Sequence, residues 1–261
     1  MKLSTLRTLA VAATALFIST VASAQTLYLS TYDGTNLERY ADKTLNVKAS
    51  RQMFHGWNTI SLPFNMTQAQ VESVFGSDCK LEKLVGVEED GAGIRLDFQS
   101  CNNEGIKANM PYILNYTGVN SLIEIAINGA LVKNEPSVST FTTASGIKVS
   151  FCGAQKQTKS EGLYGILARD NSDASFVNVS GLSTSFYATR CYIALSGANR
   201  PTLTINHIDA ATNISAIVNP GEKVDVYSVS GVRMATSLSV PQIEALPAGT
   251  YLVKGKKVII K

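Results

Sequence analysis

Apolar residues recur at every second position through most of this chain, in short runs punctuated by Gly, Asn, Asp and Ser. A period of two marks a strand with one face against a core, because successive side chains on an extended backbone point to opposite sides. The clearest case is "KLEKLVGVEEDGAGIRLDFQ", where two alternating arms flank Asp90-Gly91 and predict a hairpin. With Asp90-Gly91 as a two-residue turn, Val87 faces Ile94 and Val85 faces Leu96. Similar runs follow at "MPYILNYTG", "SLIEIAING", "GIKVSFCG", "GLYGILARDNSDASFVNV" and "SFYATRCYIAL". Strands at this spacing, without alternating helices, predict an all-β fold with a β-sandwich-like body.

One stretch breaks the period. Thr67 and Gln70 are spaced as a capping box, Met66 and Val71 as a hydrophobic staple, and Val71, Val74 and Phe75 line one face before Gly76. A short helix over 67–75, covering one end of the core, is the expectation.

"GWNTISLPF" carries the single tryptophan. Alternation sets Ile60, Leu62 and Phe64 on one face and Trp57, Thr59 and Ser61 on the other. An exposed indole flanked by Asn58 and Thr59 is a candidate glycan platform, since ring faces stack on sugars and amides or hydroxyls orient them. Gly56, however, invites a bulge that swings the indole inward, and a strand covered on both faces needs apolar groups on both. The preferred reading is a packed anchor, with Trp57, Asn58 and Thr59 retained as candidate ligand residues.

Lys2 and Arg7, the apolar run 9–21 and Ala22-Ser23-Ala24 have the form of a secretory leader ending at residue 24, so the mature chain is expected to start at Gln25 and be exported. No later run reaches the ~20 apolar residues of a membrane-spanning helix. The net charge is +3, with two of the cations in the leader. That near-neutral mature chain gives no electrostatic basis for nucleic-acid binding.

Cys79, Cys101, Cys152 and Cys191 all follow the leader, in a compartment where disulfides persist. Four cysteines allow three pairings. Position near strand ends favours Cys79 with Cys101 and Cys152 with Cys191, and free thiols are the alternative. The hairpin register above sets Cys79 and Cys101 on opposite faces, so their bridge requires a bulge.

The chain divides into the leader (1–24), the body (25–212) and a small β-module (213–261) opened by Asn219-Pro220-Gly221. In that module Val224, Val226 and Tyr227, then Gly231 and Arg233, then Leu246, Gly249 and Tyr251, ending at Lys261, follow a "VxVY", "G-x-R", "LxxGxY", terminal-lysine order. This resembles the C-terminal sorting domain of type IX secretion cargo in Bacteroidetes. The body segments "GWNTISLPF", "LDF" and "IKANMPYIL" are similar to a module of Bacteroidetes surface proteins without assigned activity. The resemblance implies delivery to the cell surface, outer membrane or medium through secretion machinery that reads the tail, and a periplasmic location if the tail is not read.

Catalytic and cofactor signatures are missing: there is no HExxH, GxSxG, paired CxxC or phosphate-binding glycine loop. No cofactor or metal is expected. His55 reads as a strand-entry residue and His207 as a loop residue. Glu88-Glu89-Asp90 reads as a solvated hairpin tip, and Asp170, Asn171 and Asp173 as a turn more than a calcium loop. The expected function is non-enzymatic binding or adhesion toward a glycan or surface protein. A hydrolase with dispersed carboxylates and a fimbria-like structural component are the alternatives.

Overall fold

The computed structural model describes residues 25–167, 175–182, 185–197, 201–208, 217–219, 221–247 and 249–260. The expected leader (residues 1–24), the candidate loop residues Asp170, Asn171 and Asp173, and Lys261 lie outside them. The first half of the body forms β1 (Thr26–Leu29), β2 (Thr44–Met53), β3 (Gly56–Ile60), α1 (Gln68–Phe75), β4 (Lys80–Asp90), β5 (Gly93–Ser100), β6 (Tyr112–Tyr116) and β7 (Ser121–Leu131). The second half forms β8 (Val138–Thr142), β9 (Lys148–Gly153), β10 (Thr158–Lys159), β11 (Leu163–Ile166), β12 (Phe176–Asn178), β13 (Ser185–Phe186), β14 (Cys191–Leu195) and β15 (Leu203–Ile208). The tail adds β16 (Val224–Ser228), β17 (Arg233–Leu238), α2 (Val240–Glu244), β18 (Gly249–Val253) and β19 (Lys256–Ile260).

The all-β expectation holds, with the sandwich principle applied twice. A central sheet in the order β15-β5-β4-β6-β3 lies between an outer sheet β1-β2-β7 and a second outer sheet β12-β11-β14-β9-β8. One face of the central sheet sends Ile60, Leu81, Tyr112 and Leu114 against Val47, Met53 and Ile125 of the first outer sheet and Val71 and Phe75 of α1. The opposite face sends Trp57, Leu84, Leu96 and Phe98 against Val149, Phe151, Phe176 and Ile193. Phe98 and Phe151 meet edge to face at 5.5 Å, the geometry the ring quadrupoles favour.

Double coverage explains β3, in which every residue is buried. Trp57 is 7% exposed and belongs to the second core. The expected bulge is not how it gets there: β3 pairs with β6 in unbroken register from Gly56 to Ile60. Gly56, at φ 90°, instead turns the corner by which the chain leaves the first outer sheet and enters the central one. The Asn58 amide pins that corner, accepting from the Phe54 N–H at 3.1 Å and donating to the Phe54 carbonyl at 2.8 Å.

The hairpin of β4 and β5 forms one step away from the expected turn. Gly91-Ala92 make the turn, Asp90 pairs with Gly93, and Val87 lies opposite Leu96 instead of Ile94. Gly91, at φ 60°, supplies the left-handed conformation required there. The register then slips between Leu84 and Gly86, so Val85 is an extra residue, a bulge.

The helix is as the sequence predicts: Thr67 caps it, the reciprocal Thr67–Gln70 bonds form, and Met66 and Val71 are both buried. The tail folds as a sheet in the order β17-β16-β18-β19 around its own cluster of Val224, Val226, Ile243, Val253, Val258 and Ile260. Its helix α2 is an element that the strand pattern did not announce. Ser239 and Gln242 close a capping box there, and Pro241 sits in the first turn. No described helix is long and apolar enough to cross a membrane.

Replacing Trp57 by Ala removes the indole from a covered face, and the expected cost is roughly 3–5 kcal/mol of unfolding free energy. Urea denaturation measures it, and a loss under about 1 kcal/mol contradicts the packed role.

Candidate functional site

The sequence candidates Trp57, Asn58 and Thr59 all lie inside the molecule. Asn58 is engaged with the corner it pins, and the Thr59 hydroxyl accepts from the Cys191 N–H at 2.9 Å. Trp57 stacks on His207 at 4.4 Å between centroids. His207 is a strand residue of β15, correcting its loop assignment, and its Nδ1 lies 2.7 Å from the buried Glu82 carboxylate. His55 is exposed between β2 and β3, with Nδ1 3.2 Å from the Gly118 carbonyl. At the hairpin tip Glu88 pairs with Arg95, and Glu89 accepts from the Ser145 N–H.

Thr59 also belongs to a buried polar junction. Arg51 projects from β2 at 2% exposure and donates to the carbonyls of Thr59 and Thr189. Burial, together with the neighbouring Arg190 charge, lowers its pKa to about 9, still above neutral, so the guanidinium keeps its charge at pH 7. The Ser61 N–H bonds the Thr189 carbonyl at 3.0 Å. Strand β3 ends the central sheet, and these contacts satisfy an edge that would otherwise expose unpaired backbone.

The face of the second outer sheet turned away from the core carries what the interior does not, an accessible cleft. Tyr192 of β14 lies opposite Cys152 of β9, and its ring packs on Phe186 at 5.3 Å. Beside Tyr192 and Cys152 runs an open groove of ≈ 620 Å³, walled by the 35–38 segment and by residues 134–138 and 152–158. Gly34 pairs with Lys156 and the Gln155 amide donates to the Asn134 carbonyl at 2.9 Å, which ties the walls together. The amides of Asn36, Asn134 and Gln155, the hydroxyls of Thr35 and Thr158 and the Tyr192 ring line it, together with the charged side chains of Glu38 and Lys156. A ring face with amides, hydroxyls and one charge of each sign is a set of groups that can stack on and hydrogen-bond a carbohydrate. Sequence reasoning missed it, although a signal exists: Tyr192 alternates with the apolar Cys191 and Ile193, which places it on the outward side of its strand.

None of the four cysteines is bridged. Cys191 pairs with Gly153 while Cys152 pairs with Tyr192, a one-residue offset that sends Cys191 into the core and Cys152 outward, so the expected Cys152–Cys191 bridge is not made. The Val85 bulge does bring Cys79 and Cys101 into one core, as that pairing required, yet Cys101 lies across from Leu81 and its thiol donates to the Leu81 carbonyl at 3.4 Å. Burial pushes the Cys101 and Cys191 thiols up to about 12, and raises Cys79 and Cys152 as well.

In the tail, Val224 and Val226 are core residues, Gly231 at φ 82° forms the β16–β17 turn, and Arg233 lies 3.7 Å from Asp225. Tyr227 pairs with Arg233 and Leu252, Leu246 packs on the tail cluster, Gly249 opens β18, and the Tyr251 hydroxyl donates to the Pro247 carbonyl at 2.9 Å.

In native reduced protein at pH 8, iodoacetamide should label half-buried Cys152 first and Cys101 and Cys191 only on unfolding, as read by peptide mass mapping. Because the folded thiols hold their protons more tightly than the unfolded ones, their contribution to stability should fall as pH rises from the ordinary thiol range toward 12. Equal labelling of Cys152 and Cys191 contradicts this placement. No family model matches the chain, and neither a curated protein nor a solved structure gives a significant match to it.

Proposed function

We propose that this is an exported, non-enzymatic binding or adhesion protein of the cell surface whose ligand is a glycan. The observation that carries the reading is the groove beside Tyr192, with its ring face and three side-chain amides. Glu38 is the one carboxylate among the described residues lining it. Most glycoside hydrolysis uses a pair of carboxylates about the scissile bond, so this lining supports retention of a sugar over its cleavage. Export rests on the leader and on the sorting-like order of the tail, whose separate core suits a folded label read by secretion machinery.

A glycan array probed with the mature protein from Gln25 should show retained oligosaccharides. Tyr192→Ala should weaken that retention about tenfold when assayed below its melting temperature, a stacked ring being worth ~1 kcal/mol or more. Release of sugar in a broad glycosidase screen would favour the hydrolase alternative, and an empty array with surface-protein capture would favour a protein ligand.

For export, deletion of residues 213–261 in a host with an active type IX system should leave a folded body in the periplasm. Normal surface abundance of the truncated protein removes the sorting role.

A further inference from the structure

A smaller chamber of ≈ 20 Å³ adjoins the groove, and Thr35, Leu37, Ala154 and Gln155 wall both spaces. Ser61 and Asn109 also line the chamber, at 6% and 3% exposure. The Asn109 amide donates to the Lys133 carbonyl at 3.0 Å and to the Glu135 carbonyl at 2.9 Å, which fixes its Oδ1 as an acceptor. Gln155 donates to the Asn134 carbonyl between them, so its Oε1 is an acceptor too. Among the described residues neither oxygen receives a hydrogen bond, and the Ser61 hydroxyl makes none. The other hydroxyls are engaged: Thr35 accepts from the Ser30 N–H, and Thr189 from Arg51. Gly153 marks where groove and chamber meet. It lines the groove, and a Cβ there would lie 2.2 Å from Ser61 Oγ and 3.4 Å from the Asn109 carbonyl oxygen. Gly153 is an extended residue of β9 outside the left-handed region, so the space and not the backbone requires glycine.

Buried acceptors without a donor are costly, so the chamber favours a guest that brings an O–H or N–H. Its volume admits about one water-sized group. A hydroxyl on the sugar ring itself cannot enter without the ring following, whereas a primary hydroxyl is carried on a one-carbon arm. The methylene of that arm suits the apolar part of the lining, Leu29, Leu37, Ala154 and Ala188. We propose that the chamber is the specificity pocket of the groove and takes the hydroxymethyl group of a hexose, whose hydroxyl donates to Asn109 Oδ1 and bonds Ser61 Oγ. The choice of a sugar rests on the glycan reading above, while the demand for a small donor rests on Ser61, Asn109 and Gly153.

The test is an array of hexose oligosaccharides (gluco-, galacto- and manno-series) beside pentose ones of equal length (xylo- and arabino-series), probed with the mature chain. A hexose series should be retained about tenfold more strongly than any pentose series, the order expected when one buried hydrogen bond is lost. Ser61→Ala should shrink that margin, and Gly153→Ala, which puts a methyl between groove and chamber, should abolish it while pentose retention stays as it was. If Gly153→Ala does not fold, Ser61→Ala, whose hydroxyl holds no bond within the protein, carries the decision. Pentoses retained as well as hexoses, or a hexose margin that survives in folded Ser61→Ala, overturns the pocket and leaves the chamber to water alone. Oligosaccharides still retained through Tyr192 in that case leave the glycan reading intact. An array that retains nothing overturns both.

Discussion

The guanidinium of Arg51 joins the three layers of the body. It starts on β2 of the first outer sheet, reaches the Thr59 carbonyl on the free edge of the central sheet, and reaches the Thr189 carbonyl in the loop that leads into the second outer sheet. A sheet edge inside a protein carries backbone groups that cannot turn to water, and leaving one unsatisfied costs ~1–3 kcal/mol. A long, multiply donating cation suits this junction better than an apolar side chain, because it satisfies carbonyls from two elements at once. The cost is a charge held away from solvent, seen in its lowered pKa.

With that edge closed, the central sheet is covered on both faces, and the surface available for recognition moves outward. Trp57 and its neighbours become internal, and the side of the second outer sheet that bears Tyr192 and Cys152 borders the groove. Gly153 shows how tightly the layers close there: a Cβ at that position would lie 2.2 Å from the Ser61 hydroxyl oxygen. The same approach brings β9 against the end of the β3 segment and sets one wall of the groove. Packing in the interior and the shape of the proposed binding surface are therefore linked through a few contacts near Ser61 and Thr189.

The tail follows a different economy. Its four strands and α2 gather their own apolar cluster, so its fold draws on local contacts. Local contacts and short loops favour rapid folding, which suits a segment proposed to be read as a label. Val229, Val232 and Met234 remain exposed at the β16–β17 hairpin, while the apolar side chains of Val258 and Ile260 on the closing strand are buried.

By itself the sequence determined the elements whose causes are local. Alternation made the strands legible, and the Thr67–Gln70 spacing announced α1 because a capping box is written in four consecutive residues. It also identified which face of β3 carries Trp57, since side-chain direction in a strand follows from parity alone. Tertiary structure decided whatever depends on distant partners. The parallel pairings of β1 with β2 and of β15 with β5 join segments with no shared turn to signal them. The Val85 bulge and the Gly91-Ala92 turn reset a register that both arms tolerate, because a shift of two residues keeps every side chain on its face. Arg51 and Tyr192 were unremarked among the strands and His207 was read as a loop residue, for their roles arise only when a third layer arrives: Arg51 is sealed by it, His207 is stacked on Trp57, and Tyr192 is left facing the groove.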